Sequence, residues 1–307
     1  MKNTSIIRAA LATSLGLVLS GGVSAQQQFV FGFSQPNMEH PYRVLGTSQA
    51  RAWAAQNPSI QLVLADGRRD SAVQMQTIED LLSRKVNVIV MSPNDSTALA
   101  PVVDVIRKAG VPIVNFDRRL AVPDDKIAAY IGSDDVEMGR MAARSIIEKM
   151  GTSGKIIQLE GNPGASGTIN RKKGFEEIVS KYPNIKIVSY VANFRLHEAV
   201  AIMEDALTAH RDLKAVYGHN DSMAMGAVKV LDEKKINGIT IVGIDGGEEG
   251  CQGVRSGKMY ASVYYPTLMP KTLEIALAVA KGLPVPKITM LETPLINAKT
   301  VEQICKK

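Results

Sequence analysis

Across 307 residues the chain has only two cysteines, four histidines and one tryptophan, and all aromatics together make 5% of it. His40, His197, His210 and His219 show no H-E-x-x-H or other ligand spacing, so no metal site is expected. His197 and His210 read as ordinary surface or core residues, whereas His40 and His219 fall near the polar strand ends described below. Also missing are a G-x-S-x-G elbow, a G-x-G-x-x-G after the first strand and a G-x-x-x-x-G-K-[ST] loop; "GTSGK", Gly151 to Lys155, has the wrong spacing. Neither a catalytic residue nor a cofactor is therefore expected. The formal charge of +6 is spread without any block of one sign, which argues against a nucleic-acid partner.

Long apolar runs are absent apart from one near the N-terminus. "MKNTSIIRAALATSLGLVLSGGVSA" puts Lys2 and Arg8 before that run and ends in Val23-Ser24-Ala25, the pattern of a signal peptide cut after Ala25. The run from Ala9 to Leu19 is shorter than the roughly 20 residues a spanning helix requires. No cysteine follows the cleavage point, so a soluble periplasmic protein is expected rather than a lipid-anchored one. Export to an oxidising compartment would allow a bridge between Cys251 and Cys305, a question that spacing leaves open.

What is present is a rhythm. From Gln26 onward, short β-branched runs alternate with amphipathic segments, the pattern of βαβ units and parallel sheets. Strands are expected at Phe29–Phe33, Ile60–Ala65, Val86–Met91, Ile113–Phe116, Ile127–Ile131, Lys155–Leu159, Ile185–Tyr190, Ala215–Tyr217, Ile239–Ile244 and Ala261–Tyr264. Helices such as Val73–Arg84 and Asp135–Met150 carry one apolar stripe each, so the thirteen methionines are mostly core, as is Trp53. An internal echo, "VNVIVMSPNDSTALAPVV" against "LKAVYGHNDSMAMGAVKV", points to two similar halves. In it Asp95 with Ser96, and Asp221 with Ser222, are placed as helix N-caps. Two open α/β domains are expected to face each other across a cleft at their strand C-terminal ends.

Polar residues cluster where those strands end: Ser34, Tyr42-Arg43, Asp117-Arg118, Phe194, Asn220-Asp221, Asp245 and Tyr265, with Arg171 at a helix start near Asn170. Carboxylates, amides and guanidinium forks are what sugar hydroxyls need, since each hydroxyl both donates and accepts. Aromatic rings can lie on the apolar face of such a ligand. In "VPIVNFDRRL" the adjacent Asp117 and Arg118 would offset each other's burial, either as a ligand-ready pair or as a purely structural one.

The chain resembles a type I periplasmic sugar-binding protein of the ribose-binding family, the soluble receptor of an ABC importer. The segments carrying this, in family order, are "GFSQPNMEHPYRV", "VIVMSPNDSTALAPVV", "VPIVNFDRRL", "YIGSDD", "GASGTINRKKGF", "VANFR", "VYGHNDSMAMGAV", "IVGIDG" and "GKMYASVYYP". The resemblance implies two doubly wound parallel-sheet domains joined by a hinge of three crossings, near Ser133, Pro266 and Ile296. Residues 26–132 plus 266–295 would form the N-terminal domain and 133–265 plus 296–307 the C-terminal one. It also implies ligand contacts by Asp117, Arg118, Arg171, Phe194, Asn220 and Asp245. Tyr42-Arg43 stands where ribose binders place two phenylalanines, and Tyr265 about where they have glutamine. That aromatic-Arg pair, with "GFSQ" and "LADGRRD", is similar to the galactofuranose-binding branch. The expected ligand is a pentose, furanose or related polyol, and the expected partner an ABC permease, with a chemoreceptor as an optional second reader of a monomeric receptor. The rival readings are a binder of sugar acids, an enzyme on the same sheets and a cytoplasmic sugar-responsive repressor. A neutral ligand is placed ahead of a sugar acid because Asp221 could balance Arg43, Arg118 and Arg171.

Overall fold

The computed structural model describes residues 28–305, and the expected signal peptide, residues 1–25, lies outside them. Strands β1 (Phe29–Gln35), β2 (Ile60–Asp66), β3 (Val88–Met91), β4 (Ile113–Phe116) and β5 (Ala129–Gly132) alternate with helices α1 (Pro41–Ala55), α2 (Ser71–Ser83) and α3 (Ala100–Lys108). The alternation continues with α4 (Asp135–Met150), β6 (Gly154–Glu160), α5 (Ser166–Val179), β7 (Ile185–Val191), α6 (Leu196–Ala209), β8 (Leu213–Gly218), α7 (Asp221–Glu233), β9 (Thr240–Asp245), α8 (Glu248–Arg255) and β10 (Ala261–Tyr264). The last elements are α9 (Lys271–Ala280), β11 (Ile288–Met290), β12 (Leu295–Asn297) and α10 (Val301–Ile304).

Two six-stranded sheets result, in the orders β11-β5-β4-β3-β1-β2 and β12-β10-β9-β8-β6-β7. Adding five to each of β1 to β5 converts the first order into the second, so the halves share one topology. The Asn-Asp-Ser echo follows β3 in one half and β8 in the other, at matching points. Among the described residues all pairings are parallel except β10 with β12, which is antiparallel. Parallel sheets covered on both faces need strands that are apolar on both sides. Accordingly every residue of β3, β4 and β5 is buried.

Over the described residues the chain crosses between sheets three times: from β5 to α4, from β10 to α9, and from β11 to β12. On the second passage Leu268, Met269 and Leu273 join the core of the first sheet around Phe31, Phe33 and Phe116. β11 and β12 have no counterpart among the expected strands. Each has three residues on a sheet edge, and only Ile296 of the six is buried, so no alternation develops. Cys251, in α8, is bonded to Cys305 just after α10, with Cα atoms 5.9 Å apart, which settles the question left open by spacing.

Candidate ligand-binding site

Between the C-terminal ends of the two sheets lies a cavity of about 460 Å³ of atom-free space, its mouth included. Tyr42, Arg43, Asp117, Arg118, Arg171, Phe194, Asn220, Asp245 and Tyr265 all line it, together with Asn37, His40, Arg69 and Gly167. Ser34 does not: it is fully buried at the end of β1, where its hydroxyl accepts from Gln74 Nε2 at 3.1 Å. Among the described residues no group of His, Cys, Asp or Glu is arranged to hold a metal ion.

Asp117 follows β4 with a φ of 59°, in the left-handed region that costs a non-glycine residue free energy. Its carboxylate is taken up on every side. One oxygen accepts from Tyr265 Oη at 2.7 Å; the other accepts from Ser92 Oγ at 2.7 Å and forms an ion pair with Arg43. The direct ion pair is thus with Arg43, from the first turn of α1, and not with the neighbouring Arg118, which offsets the burial of the aspartate through its charge alone. Burial alone would raise the Asp117 pKa, but Arg43 and Arg118 and the two hydroxyl donors hold it well below the carboxylate range.

Arg118 instead donates from Nη1 to Asn94 O at 2.8 Å, and its guanidinium lies 5.4 Å from the centroid of the Phe194 ring. Burial, then the charge of Arg43, lower its pKa to about 9, with Arg171 and Arg69 adding to the effect against the opposing pull of Asp117. Phe194 also has a positive φ, 59°, and its ring lies where a Cβ on Gly161 would stand.

The helix expected to start near Asn170 begins at Ser166, which puts Arg171 in its second turn. Arg171 Nε donates to Asp135 Oδ1 at 2.8 Å and Nη1 to the carbonyl of His219, while Asp245 Oδ1 lies 3.9 Å away. Burial would lower its pKa, but Asp135 and Asp245 outweigh that and raise it. Helices α4 and α5 approach closely enough for this pair because both contact points are glycine. A Cβ on Gly139 would overlap the Arg171 carbonyl, and one on Gly174 would overlap the Val136 carbonyl. Asp135 was legible in the sequence only as a helix start.

The expected capping roles also change. Asn220, not Asp221, caps α7, accepting from Met223 N at 2.9 Å, while its Nδ2 donates to His40 Nε2 at 2.7 Å across the cavity. Burial, followed by Arg43, Arg69, Arg118 and Arg171, pushes the His40 pKa down to about 3, which leaves a neutral ring that accepts. Asp95 accepts from the amides of Thr97 and Ala98 in the turn before α3, whereas Ser96 Oγ accepts from Ser166 N across the cleft. Asp221 turns inward, accepting from Gly246 N and Ser262 Oγ at 2.7 Å each, and so braces the turn that carries Asp245. It does not face the cavity.

Asp245 sits at the tip of β9 with a φ of 126°. Burial raises its pKa to about 7 against the pull of Arg171. Tyr42 and Tyr265 stack with centroids 5.1 Å apart, closing one wall with aromatic surface. At the mouth the halves touch directly: Ser96 N donates to Gly164 O at 2.9 Å and Arg119 N to Ser166 Oγ at 2.8 Å. His219 is fully buried behind the wall beside Gln158, and Arg69 and Asn37 are lining residues that strand-end reading did not single out.

Residues 31–283 match the family model described as a periplasmic binding protein domain. The chain is 30% identical over 238 residues, 78% of its own length and 76% of the relative's, to the ribose import binding protein RbsB of Bacillus subtilis (strain 168). It is also 30% identical over 241 residues, 76% of each chain, to the galactofuranose-binding protein YtfQ of Escherichia coli (strain K12). An ABC transporter solute binding protein from Bacillus halodurans C-125, solved with bound myo-inositol, superposes with a TM-score of 0.86 at 25% identity, covering 91% of this chain and 98% of that one.

Proposed function

The chain belongs to the periplasmic binding protein family, and from that premise we propose that it is the solute receptor of an ABC importer, binding one small sugar or related polyol between its two sheets. The observation that carries this reading is the cavity itself: polar and charged groups from both sheets converge on one cleft, held by hydrogen bonds among themselves. Relatives are named for ribose and galactofuranose, and a structural neighbour holds myo-inositol; all three are small and densely hydroxylated.

Asp117 and Arg118 would act from one wall, and Arg171, Phe194, Asn220 and Asp245 from the other, with Tyr42 and Tyr265 against the ligand's apolar face. Arg43 would hold Asp117 in place and Ser34 would support the first wall from behind. A ligand bonded to both walls is fully satisfied only when they are together, so it favours the closed form by its differential affinity. The three crossings would serve as the hinge, residues 26–132 plus 266–295 moving against 133–265 plus 296–307. A permease would read the closed monomer in the periplasm after removal of residues 1–25.

The test is a thermal-shift screen of purified protein against pentoses, furanose-forming hexoses, polyols and sugar acids. A ligand at 100 times its dissociation constant adds about 2.7 kcal/mol of stability. Asp117→Ala and Arg171→Ala should each abolish most of that shift with an unchanged far-UV circular dichroism spectrum. The reading fails if no polyhydroxylated compound raises the melting temperature.

A further inference from the structure

Gln74, in the first turn of α2, is fully buried, and both donors and the carbonyl of its amide are taken up inside the protein. Nε2 donates to Ser34 Oγ at 3.1 Å and to Ser92 O at 2.9 Å, and Oε1 accepts from Asn94 N at 2.7 Å. A carboxylate could not replace it, since a carboxylate only accepts, whereas Ser92 O and Asn94 N need a donor and an acceptor side by side. The short segment Ser92-Pro93-Asn94, which follows β3, is thus gripped at both ends by one side chain. From that segment Ser92 Oγ donates to Asp117 Oδ2 at 2.7 Å, Asn94 O accepts from Arg118 Nη1 at 2.8 Å, and Asn94 Nδ2 donates to Arg69 O at 3.2 Å. Three residues that line the cavity therefore lead back to an amide that does not line it.

Resting on the receptor reading above, we propose that Gln74 is a positioning residue for the ligand site: by fixing Ser92 against Asn94 it sets where Asp117 and Arg118 stand, and so governs sugar affinity without touching the sugar. Asp117 and Arg118 are neighbours in the chain, yet they are held from opposite ends of this segment. A shift between its ends moves the carboxylate against the guanidinium, and bonding groups in a binding site must stay within about 0.5 Å of their productive places. The second half solves the same problem differently. The fourth residue of α6, matching Gln74 in α2, is Ala199, which has no amide to offer. There the echoed Asn220 lines the cavity itself, whereas Asn94 is drawn back to Arg69 and Ser71. Gly67 packs on the stem of Gln74, where a Cβ would stand 3.0 Å from Gln74 Cβ, so stem and amide are both confined.

Calorimetric titration of wild type, Gln74→Met and Gln74→Asn with D-ribose, D-galactose and myo-inositol tests this, at a temperature where melting curves show each protein folded. Gln74→Met keeps the length but no strong hydrogen-bonding group; Gln74→Asn keeps the amide on a stem one carbon short. Each should weaken binding of whichever compound wild type takes up by roughly tenfold to a hundredfold, the worth of one hydrogen bond to a charged group. In the ligand-free protein, the guanidinium protons of Arg118, held by Asn94, should give separate nuclear magnetic resonance signals that merge in both variants. A merely structural amide would lower the melting temperature and leave affinity and signals as they are. Unchanged affinity in a folded variant, or loss of the fold in both, overturns the assignment and leaves the receptor standing. If wild type binds no polyhydroxylated compound, the receptor reading falls and takes this one with it.

Discussion

Asp117 is held by the protein's own side chains, and the cost of undoing that is measurable. Arg43→Met leaves a buried carboxylate without its cation, and breaking such a pair costs about 3–5 kcal/mol. Urea denaturation should register the loss; a change below about 1 kcal/mol, the range of exposed pairs, would show that Ser92 and Tyr265 suffice. Asp245 makes a second prediction at this scale. Because its pKa is raised from 3.8 to about 7 on folding, the native state holds the proton more tightly than the unfolded chain does. The stability it contributes is fully present below pH 3.8 and is lost as the pH rises through about 7. Asp245→Asn should therefore flatten the decline in melting temperature between those values, and an unaltered slope would show that the group titrates normally. Strand-end reading found most of the cavity's residues because polar side chains at the tips of buried strands are visible as chemical type and position. Partner choice was not visible, since Asp117 is matched with a residue 74 positions away in α1 and not with its chain neighbour.

At the scale of elements, the α4–α5 contact links packing to the site. Ala substituted at Gly139 or Gly174 would wedge apart two helices whose backbones touch there, at about 1–3 kcal/mol for overpacking. The same wedge would separate Arg171 from Asp135, so ligand affinity should fall together with stability. Calorimetry alongside denaturation checks this; full affinity in a destabilised Gly174→Ala protein would show that Arg171 is positioned by other means. The βα alternation was legible because strands covered on both faces read as unbroken apolar runs, and ten were placed within a few residues of their observed bounds. The two edge strands were not, because three residues, at most one of them buried, are too few to carry a period. Helix starts slipped for a related reason: Asn220 and Asp221 are both good capping residues, and only the tertiary demand for a carboxylate behind Gly246 decides which one caps.

For the molecule as a whole, the contacts at the cleft mouth bear on the proposed closure. Gly164 meets Asp95 so closely that a Cβ would overlap the carboxyl group, and that carboxyl is fixed by the amides of Thr97 and Ala98. Gly164→Ala should therefore bias the protein toward an open form, with weaker binding and a larger radius of gyration at saturation, as read by solution scattering. Unchanged compaction would mean that Asp95 gives way cheaply. The disulfide adds a mechanical consequence. Cys251 and Cys305 are 54 residues apart in sequence, and between them the chain leaves the second sheet, builds α9 and β11 against the first, and returns. That excursion is thus a lasso with both ends knotted to one body. Should it peel off its distant seat, or be nicked along the way, the severed arms stay tethered close at hand and can reseat without a search through solution.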